Sequence, residues 1–158
     1  MKKAARVLAG MAGVAMLFCP SAGAEPTPDD YVNVRTPTPP MRCEVSSADG
    51  AGQEPTVVCQ TAGFPQAPVE PVPYPGRTGD PRVVHQDQAI IGASGRFDWR
   101  NANLGLPPPN QPDVTLVNGQ TYDFHGWRIV PTADGTRFTN DVTGHGMFID
   151  RQYSVEPF

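Results

Sequence analysis

Three histidines and one aspartate are the residues of this sequence best suited to metal or acid–base chemistry. His125 and His145 lie in FHGW and TGHGM, Asp141 precedes His145 by four residues, and His85 lies upstream. Imidazole and carboxylate groups are zinc ligands, so His125, His145 and Asp141 form a candidate metal site for a metal-assisted hydrolase. The two histidines lack the i, i+2 or i, i+4 spacing typical of strand or helix ligands. The favoured interpretation is therefore that both are turn residues, with no metal and no cofactor.

Ser94, in IGASGR, is the serine whose setting most resembles that of a nucleophile. The stretch does not fit G-x-S-x-G, and that motif requires a strand-to-helix turn, whereas the sequence predicts no helix here. Acidic residues such as Asp29, Asp30 and Asp98 show no pattern that separates them from surface carboxylates. We therefore predict no catalytic residue, and a binding protein rather than an enzyme.

Two cysteines, Cys43 and Cys59, predict one disulfide bond. They lie in MRCEV (41–45) and TVVCQ (56–60), whose alternation and β-branched residues indicate two paired strands. An even pair of cysteines in an oxidising compartment is most simply a cross-link, and a structural zinc site needs four ligands. Closing a loop of about 15 residues contributes about 3 kcal/mol in the chain-entropy model.

The first 24 residues have the organisation of an export signal. Basic residues precede an apolar stretch over 7–18, and SAGA ends at Ala24 as a small-residue cleavage site. Twelve residues of helix span about 18 Å, short of the ~30 Å hydrocarbon core, so no transmembrane segment is predicted for the mature chain. Cys19 is interpreted as removed with the signal, because bulky Phe18 stands where lipoprotein signals carry a small residue. Lipidation of Cys19 is the alternative.

The charge of the chain excludes some classes of partner. The full sequence has a net charge of −4, and loss of the three basic residues of the export segment makes it about −7. Nucleic acids and anionic lipid surfaces require a cationic patch, and the sequence shows none. We therefore predict a secreted or cell-envelope-associated protein that does not bind nucleic acid and that has an unknown partner at the envelope or outside the cell.

Prolines and the lack of a 3.6-residue apolar repeat predict an all-β protein. Residues 25–40 are rich in proline and threonine and predict an extended arm with a short strand at 31–34, before a single β-domain over 41–158. Inside that domain, 63–76 contains five prolines and predicts a polyproline strap. The expected architecture is a small antiparallel barrel or sandwich with a C-terminal five-stranded meander.

The middle of the domain predicts two further strands. They are PRVVHQDQAII (81–91) and RFDW (96–99), joined by the turn GASG. A second proline-rich break, LGLPPPNQP (104–112), follows. These strands and the disulfide hairpin are expected to pack against the meander.

The meander is predicted over 113–150, with one apolar face. Its central hairpin has a two-residue turn at His125-Gly126. That turn brings three pairs into register, the last on the outer face: Phe124 with Trp127, Tyr122 with Ile129, and Asp123 with Arg128.

Three further turns complete the predicted meander. The first is a bulged loop over 117–119, with Gly119 left-handed, that puts Val114, Leu116, Tyr122 and Phe124 on one face. The second is a two-residue turn at Asp134-Gly135 that places Phe138 opposite Pro131. The third is a four-residue loop over 143–146 that places Val142 opposite Met147, Asn140 opposite Ile149 and His145 at the tip. In this register Phe148 points outward beside Asp141. An outward aromatic residue on an exported β-domain is a candidate binding surface, and a second packed layer over it is the alternative.

The order of these motifs resembles a known family. An export signal, a Pro/Thr-rich arm, RCEVSS…TVVCQ, GQTYDFHGWRIV and DGTRFTNDVTGHGMFI follow one another. This order is similar to that of a family of small exported proteins of mycobacteria and related actinobacteria whose function is not established. The resemblance implies export, and it supplies no catalytic residue, cofactor or substrate.

Three functional hypotheses follow from the sequence. The favoured one is an exported, non-enzymatic β-domain that acts through a binding surface with an unknown ligand. The second is the metal-assisted hydrolase that uses His125, His145 and Asp141. The third is a small carrier that holds an apolar or carbohydrate ligand between its layers.

Overall fold

The computed structural model describes residues 30–48, 53–72 and 82–158. The predicted export signal with Cys19, and parts 25–29 and 73–76 of the predicted arm and strap, lie outside these residues. Within them the chain is all-β, as predicted, and contains no helix long and apolar enough to cross a membrane.

Thirteen strands are present in the described part of the chain. In chain order they are β1 (Tyr31–Pro37), β2 (Pro40–Ser46), β3 (Thr56–Gln60), β4 (Val69–Val72), β5 (Arg82–His85), β6 (Gln88–Gly92), β7 (Phe97–Arg100), β8 (Val114–Thr115), β9 (Tyr122–Phe124), β10 (Trp127–Pro131), β11 (Gly135–Asn140), β12 (Gly146–Asp150) and β13 (Val155–Pro157).

The first sheet has six strands in the order β7-β6-β3-β2-β1-β8. All neighbours are antiparallel except β1 and β8, which are parallel. The described part of the predicted arm belongs to this sheet, because β1 pairs along its whole length with β2. The predicted hairpin of MRCEV and TVVCQ is confirmed as β2 and β3, and RFDW forms most of β7.

The predicted disulfide is confirmed in the middle of this sheet. Cys43 and Cys59 are directly opposite each other on β2 and β3 and are bonded. Both side chains are fully buried on the inner face, where Val45 and Val57 are the next opposite pair. The strict alternation of these two strands thus places every second residue in the core.

The second sheet is the predicted C-terminal meander, with strands in the order β13-β12-β11-β10-β9. The hairpin at His125-Gly126 has the predicted register, with Phe124 opposite Trp127 and Asp123 opposite Arg128. The two turn residues have φ values of 51° and 78°, which are typical of a two-residue hairpin turn. Glycine is well suited to the second position because it adopts positive φ without strain.

After two later turns, the strand register differs from the predicted register by an even number of residues. Phe138 lies opposite Ile129 and not Pro131, because the backbone N–H and the hydroxyl of Thr132 both donate to the carbonyl of Gly135 and close a longer turn. Because side chains alternate with a period of two, an even shift leaves Phe138 on the core face.

The last hairpin is shifted by four residues. Asn140 ends β11, because its side-chain oxygen accepts hydrogen bonds from the backbone N–H groups of Val142 and Thr143. This arrangement is a local turn in which the side chain replaces a backbone partner. Met147 therefore lies opposite Phe138. The predicted core position of Val142 is wrong, since its side chain is 89% exposed in the turn.

The predicted first strand of the meander is also placed elsewhere. Val114 of β8 pairs with Val34 of β1 in the first sheet and does not pair with β9. Gly119 is left-handed as predicted, with φ of 83°, and its N–H donates to the carbonyl of Pro131. The chain thus passes from one sheet to the other at 117–120, and β13 provides the fifth strand of the meander.

A small two-stranded sheet of β4 and β5 lies outside these two sheets. The predicted single strand over 81–91 is wrong, because Gln86 and Asp87 separate β5 from β6 and the two strands belong to different sheets. Part of the predicted polyproline strap forms β4, in which Pro71 lies opposite Val83. The edge position of this strand tolerates the missing donor of proline.

One hydrophobic core lies between the two large sheets. It includes Val57 and Ile91 from the first sheet and Trp127, Phe138 and Met147 from the second. The two sheets therefore form a sandwich.

Phe64 enters this core from the loop after β3. The ring of Phe64 is fully buried, and its centroid is 5.2 Å from that of Trp99.

Candidate functional site

The three histidines lie in three different local settings. His85 is on β5, where its Nδ1 is 2.8 Å from the carbonyl oxygen of Ala67. His125 is in the β9–β10 turn. His145 directly precedes β12, and its Nδ1 is 3.3 Å from the carbonyl oxygen of Phe158. The residue predicted to be at a loop tip is thus at the base of the turn.

The turn of His145 contacts the first sheet. Gly95, with φ of 83°, lies so close that a β-carbon at that position would be 2.8 Å from the imidazole ring. The hydroxyl of Thr143 also donates to the carbonyl of Ala93, at 2.6 Å. The turn of the second sheet therefore packs on the 92–95 turn of the first.

The candidate metal ligands were expected at one end of the meander, and their turns do lie there. The backbone N–H of Asp141 donates to the carbonyl of Gly126 in the neighbouring turn. The carboxylate of Asp141 is, however, paired with Arg128 at 2.7 Å. Across residues 30–48, 53–72 and 82–158, no group of three His, Cys, Asp or Glu side chains is arranged to hold a metal ion.

Ser94 is engaged by a carboxylate. Its hydroxyl donates to Glu54 at 2.9 Å, and its backbone N–H donates to the other oxygen of Glu54 at 2.6 Å. In a catalytic triad the acid orients a histidine, which in turn contacts the serine. Here the acid contacts the serine directly, so Glu54 fastens the 92–95 turn.

Phe148 points away from the core face, as predicted, but its cross-strand neighbour is Arg137 and not Asp141. The ring is half-buried because it packs over Gly135, where a β-carbon would lie 2.6 Å from it. An aromatic side chain that covers a glycine in a neighbouring strand protects the backbone of its own sheet. Phe148 thus has a structural contact that accounts for its outward position.

A segment that we call the crossover segment (101–113) connects β7 to β8 across the outer face of the first sheet. Gln60, which points outward from β3, donates to the carbonyl of Ala102 and accepts from the N–H of Leu104. Arg42 donates to the carbonyl of Gly105. The extended, proline-rich chain is thus held by outward side chains that bind its backbone.

Asp113 fixes the end of the crossover segment. Its carboxylate pairs with Arg35 at 2.8 Å and with Arg42 at 3.0 Å, and it is only 4% exposed. Two cations on adjacent strands therefore neutralise one buried charge. Breaking such a pair leaves its partners without their counterion.

Replacing Asp113 with asparagine is expected to lower the free energy of unfolding by about 1–3 kcal/mol, because Arg42 remains mostly buried without its countercharge. Asp123→Asn is the matched control, since Asp123 pairs with Arg128 at 3.7 Å between exposed side chains. An exposed pair is worth at most about 1 kcal/mol. Urea denaturation of both variants measures the difference, and equal effects would contradict a buried anchor at Asp113.

Beside the crossover segment, the outer face forms an open groove of about 820 Å³. Its floor includes Glu44, Val58 and Ile90, which lie directly opposite one another on β2, β3 and β6. Ser46 and Thr56 form the next row across the same strands. The groove therefore runs across the strands and parallel to the crossover segment.

Unpaired charges lie at both ends of the groove floor. Arg96 and Arg100 line the groove beside β7, and Glu44 lines it on β2. None of the three side chains makes an ion pair or side-chain hydrogen bond within the described part of the chain. Burial raises the pKa of the Glu44 carboxyl above its usual 4.5, and nearby Arg42 opposes this in part. The buried side-chain oxygen of Asn33, directly opposite Glu44, also lacks a donor.

Replacing Glu44 with glutamine is expected to stabilise the protein at pH 7. A carboxyl whose pKa is raised by folding stabilises the fold only when protonated, so its contribution is lost as the pH rises through the raised pKa. Glutamine has a similar shape and carries no charge to desolvate. The urea midpoint of the variant should exceed that of the wild type at pH 7, and the gap should close below pH 4.5. A lower midpoint at pH 7 would contradict the buried carboxylate.

Comparison of this chain with protein-family models, curated proteins and solved structures gives no match. The function therefore has to be inferred from the chemistry of the groove. The groove offers the Glu44 carboxylate as an acceptor, an apolar floor, and two guanidinium groups as donors. This combination suits a polar ligand with charges at its ends.

Local sequence patterns indicate which groove residues point to the outer face of the first sheet. In MRCEV and TVVCQ, the alternation that buries the cysteines also points Glu44 and Val58 to the opposite face. In RFDWR, Arg96, Asp98 and Arg100 likewise alternate with half-buried aromatic residues. The row across β2, β3 and β6 depends on the strand order, which no local pattern specifies.

Proposed function

We propose that this protein is an exported, non-enzymatic binding domain and that the groove of the first sheet is its ligand-binding surface. The observation that carries the proposal is Glu44. It is a half-buried carboxylate on the groove floor that has no ion-pair or hydrogen-bond partner in the described residues, and burial raises its pKa. An unpaired buried charge costs stability, and a ligand that supplies a donor offsets that cost.

The proposed place of action is the cell envelope or the space outside the cell. The basic and apolar segments before Ala24 support export, and the Cys43–Cys59 disulfide suits an oxidising compartment. Groove shape and lining support a small or linear ligand better than a broad protein surface.

An amide-resolved NMR titration tests the proposal. The probes are cellobiose, N,N′-diacetylchitobiose, phosphocholine and short linear peptides, each added to the isotope-labelled protein. Shifts are expected for the amides of Ser46, Thr56, Val58 and Ile90 with at least one probe. Shifts confined to other surfaces, or no shifts with any probe, would overturn the groove as the binding surface.

Two variants test whether the ligand binds in the groove. Val58→Arg and Ser46→Arg each put a long side chain into the groove from an outward position and should abolish the shifts. Val142→Arg is the control, because that exposed turn lies on the second sheet. Two blocking variants are needed so that a folding defect in one leaves the other as a test.

A further inference from the structure

The unpaired charges of the groove are separated by an apolar floor. Glu44 on β2 is three strand spacings from β7, where Arg96 and Arg100 flank Asp98, the residue opposite Ile90, and Val58 and Ile90 lie between. At ~4.8 Å per spacing, the two ends are about 14 Å apart. A complementary ligand therefore carries a cation and an anion at that distance, with an apolar group between them.

An extended peptide has this spacing. At ~3.3 Å per residue, positions i and i+4 of an extended chain are about 13 Å apart. Alternate side chains of such a chain point to the same side, so positions i, i+2 and i+4 face the groove together. A basic residue, an apolar residue and an acidic residue at these positions meet Glu44, the floor and one of the two arginines.

The protein already binds an extended chain on this face. The crossover segment runs parallel to the groove and is held by side chains that bind its backbone, with Gln60 contacting both Ala102 and Leu104. Ser46 and Thr56, in the groove, donate their hydroxyl hydrogens to the carbonyls of Thr56 and Glu54, and their hydroxyl oxygens can accept from the N–H groups of a bound chain. Between the charges the floor is aliphatic, with Val58 and Ile90, and the aromatic ring of the lining, Tyr31, lies one row away, opposite Ser46.

We propose that the groove binds an extended peptide segment with a basic side chain at one end and an acidic side chain four residues away, a proposal that rests on the groove being the binding surface of the protein. The basic side chain pairs with Glu44, and the acidic side chain pairs with Arg96 or Arg100, which together outnumber the one carboxylate, Asp98, between them. Such charge-assisted hydrogen bonds fix the length and the direction of the peptide. Val58 and Ile90 contact its central side chain.

The test uses three capped peptides in NMR titrations of the protein. They are acetyl-Lys-Thr-Val-Thr-Asp-amide, and matched controls with Lys at both ends or with Asp at both ends. The Lys–Asp peptide is expected to bind about tenfold more tightly than either control, with shifts in the groove amides. Equal affinities for the three peptides would overturn the proposal.

Charge-swap variants give a second readout. Glu44→Gln should weaken the Lys–Asp peptide about tenfold, and the variant is expected to fold stably. Arg96→Glu combined with Arg100→Glu should reverse the preference, so that the Lys–Lys peptide binds more tightly than the Lys–Asp peptide. Both arginines are exposed and without side-chain partners in the described residues, so this variant should also fold. An unchanged preference in the double variant would overturn the assignment of the acidic end.

The outcomes separate this proposal from the broader one. If a disaccharide or phosphocholine shifts the groove amides and no peptide does, the groove is a binding surface and the peptide proposal fails. If no probe shifts these amides, both fail.

Discussion

Phe138→Ala is expected to lower the free energy of unfolding by about 3–5 kcal/mol. The ring is fully buried on the central strand of the second sheet, opposite Ile129 on β10 and Met147 on β12. Removing it leaves a cavity between the two sheets that the surrounding strands cannot fill. Chemical denaturation followed by tryptophan fluorescence measures the loss, because Trp127 lies in the same core.

Val142→Ala is the matched control for this substitution. Val142 is four residues further along and apolar, and the sequence pattern alone placed it on the same face. Its side chain is 89% exposed, so its truncation should change the free energy of unfolding by less than about 0.5 kcal/mol. If both substitutions destabilise strongly, the last hairpin has the register predicted from sequence and not the observed one.

Removal of the disulfide is expected to lower the free energy of unfolding by about 3 kcal/mol. The bond closes a sequence separation of 16 residues between β2 and β3, and so restricts the unfolded chain. Because both cysteines are fully buried, alanine at both positions preserves the apolar character of the inner face. The measurement is urea denaturation of the Cys43→Ala, Cys59→Ala protein beside the wild type.

A reductant provides the internal control. It should destabilise the wild type by a similar amount and leave the double variant unchanged. A loss below about 1 kcal/mol in both cases would show that the β2–β3 hairpin is held mainly by its backbone pairing and side-chain packing.

The fold class and the apolar face of the meander were predictable because side-chain alternation has a period of two. The hairpin at His125-Gly126 was correct in every pair, since its turn chemistry and its cross-strand pairs agree. The two later turns were wrong by even numbers of residues, and Phe138 and Met147 kept their face. The sequence thus predicts which side chains of a strand share a face even where it does not predict the length of the turn.

Turn length depended on side-chain hydrogen bonds that local patterns do not rank. Asn140 ends β11 early because its side-chain oxygen accepts hydrogen bonds from the backbone that follows. Thr132 lengthens the turn before β11 because its hydroxyl donates to the carbonyl of Gly135. The pairing of Val34 with Val114 joins residues 80 positions apart in a parallel arrangement. Neighbouring segments of the sequence give no indication of such a contact.

The candidate site was the least predictable part. Histidines, a serine and an outward aromatic residue were the candidates visible in the sequence, and His145, Ser94 and Phe148 all make contacts within the fold. The groove depends on the order of β2, β3, β6 and β7 and on the path of the crossover segment. The burial of Glu44, and its lack of a partner in the described residues, arise from tertiary packing that the local sequence does not specify.

The ends of the two sheets affect how another molecule can attach. The outermost strands β8, β9 and β13 are two or three residues long, and β7 has four. Such short edge strands offer few free amide and carbonyl groups, so a strand of another molecule would form few hydrogen bonds by joining either sheet. Recognition by strand addition is therefore disfavoured here. The protein can in this way avoid self-association through its edge strands while the groove on the outer face of the first sheet stays open.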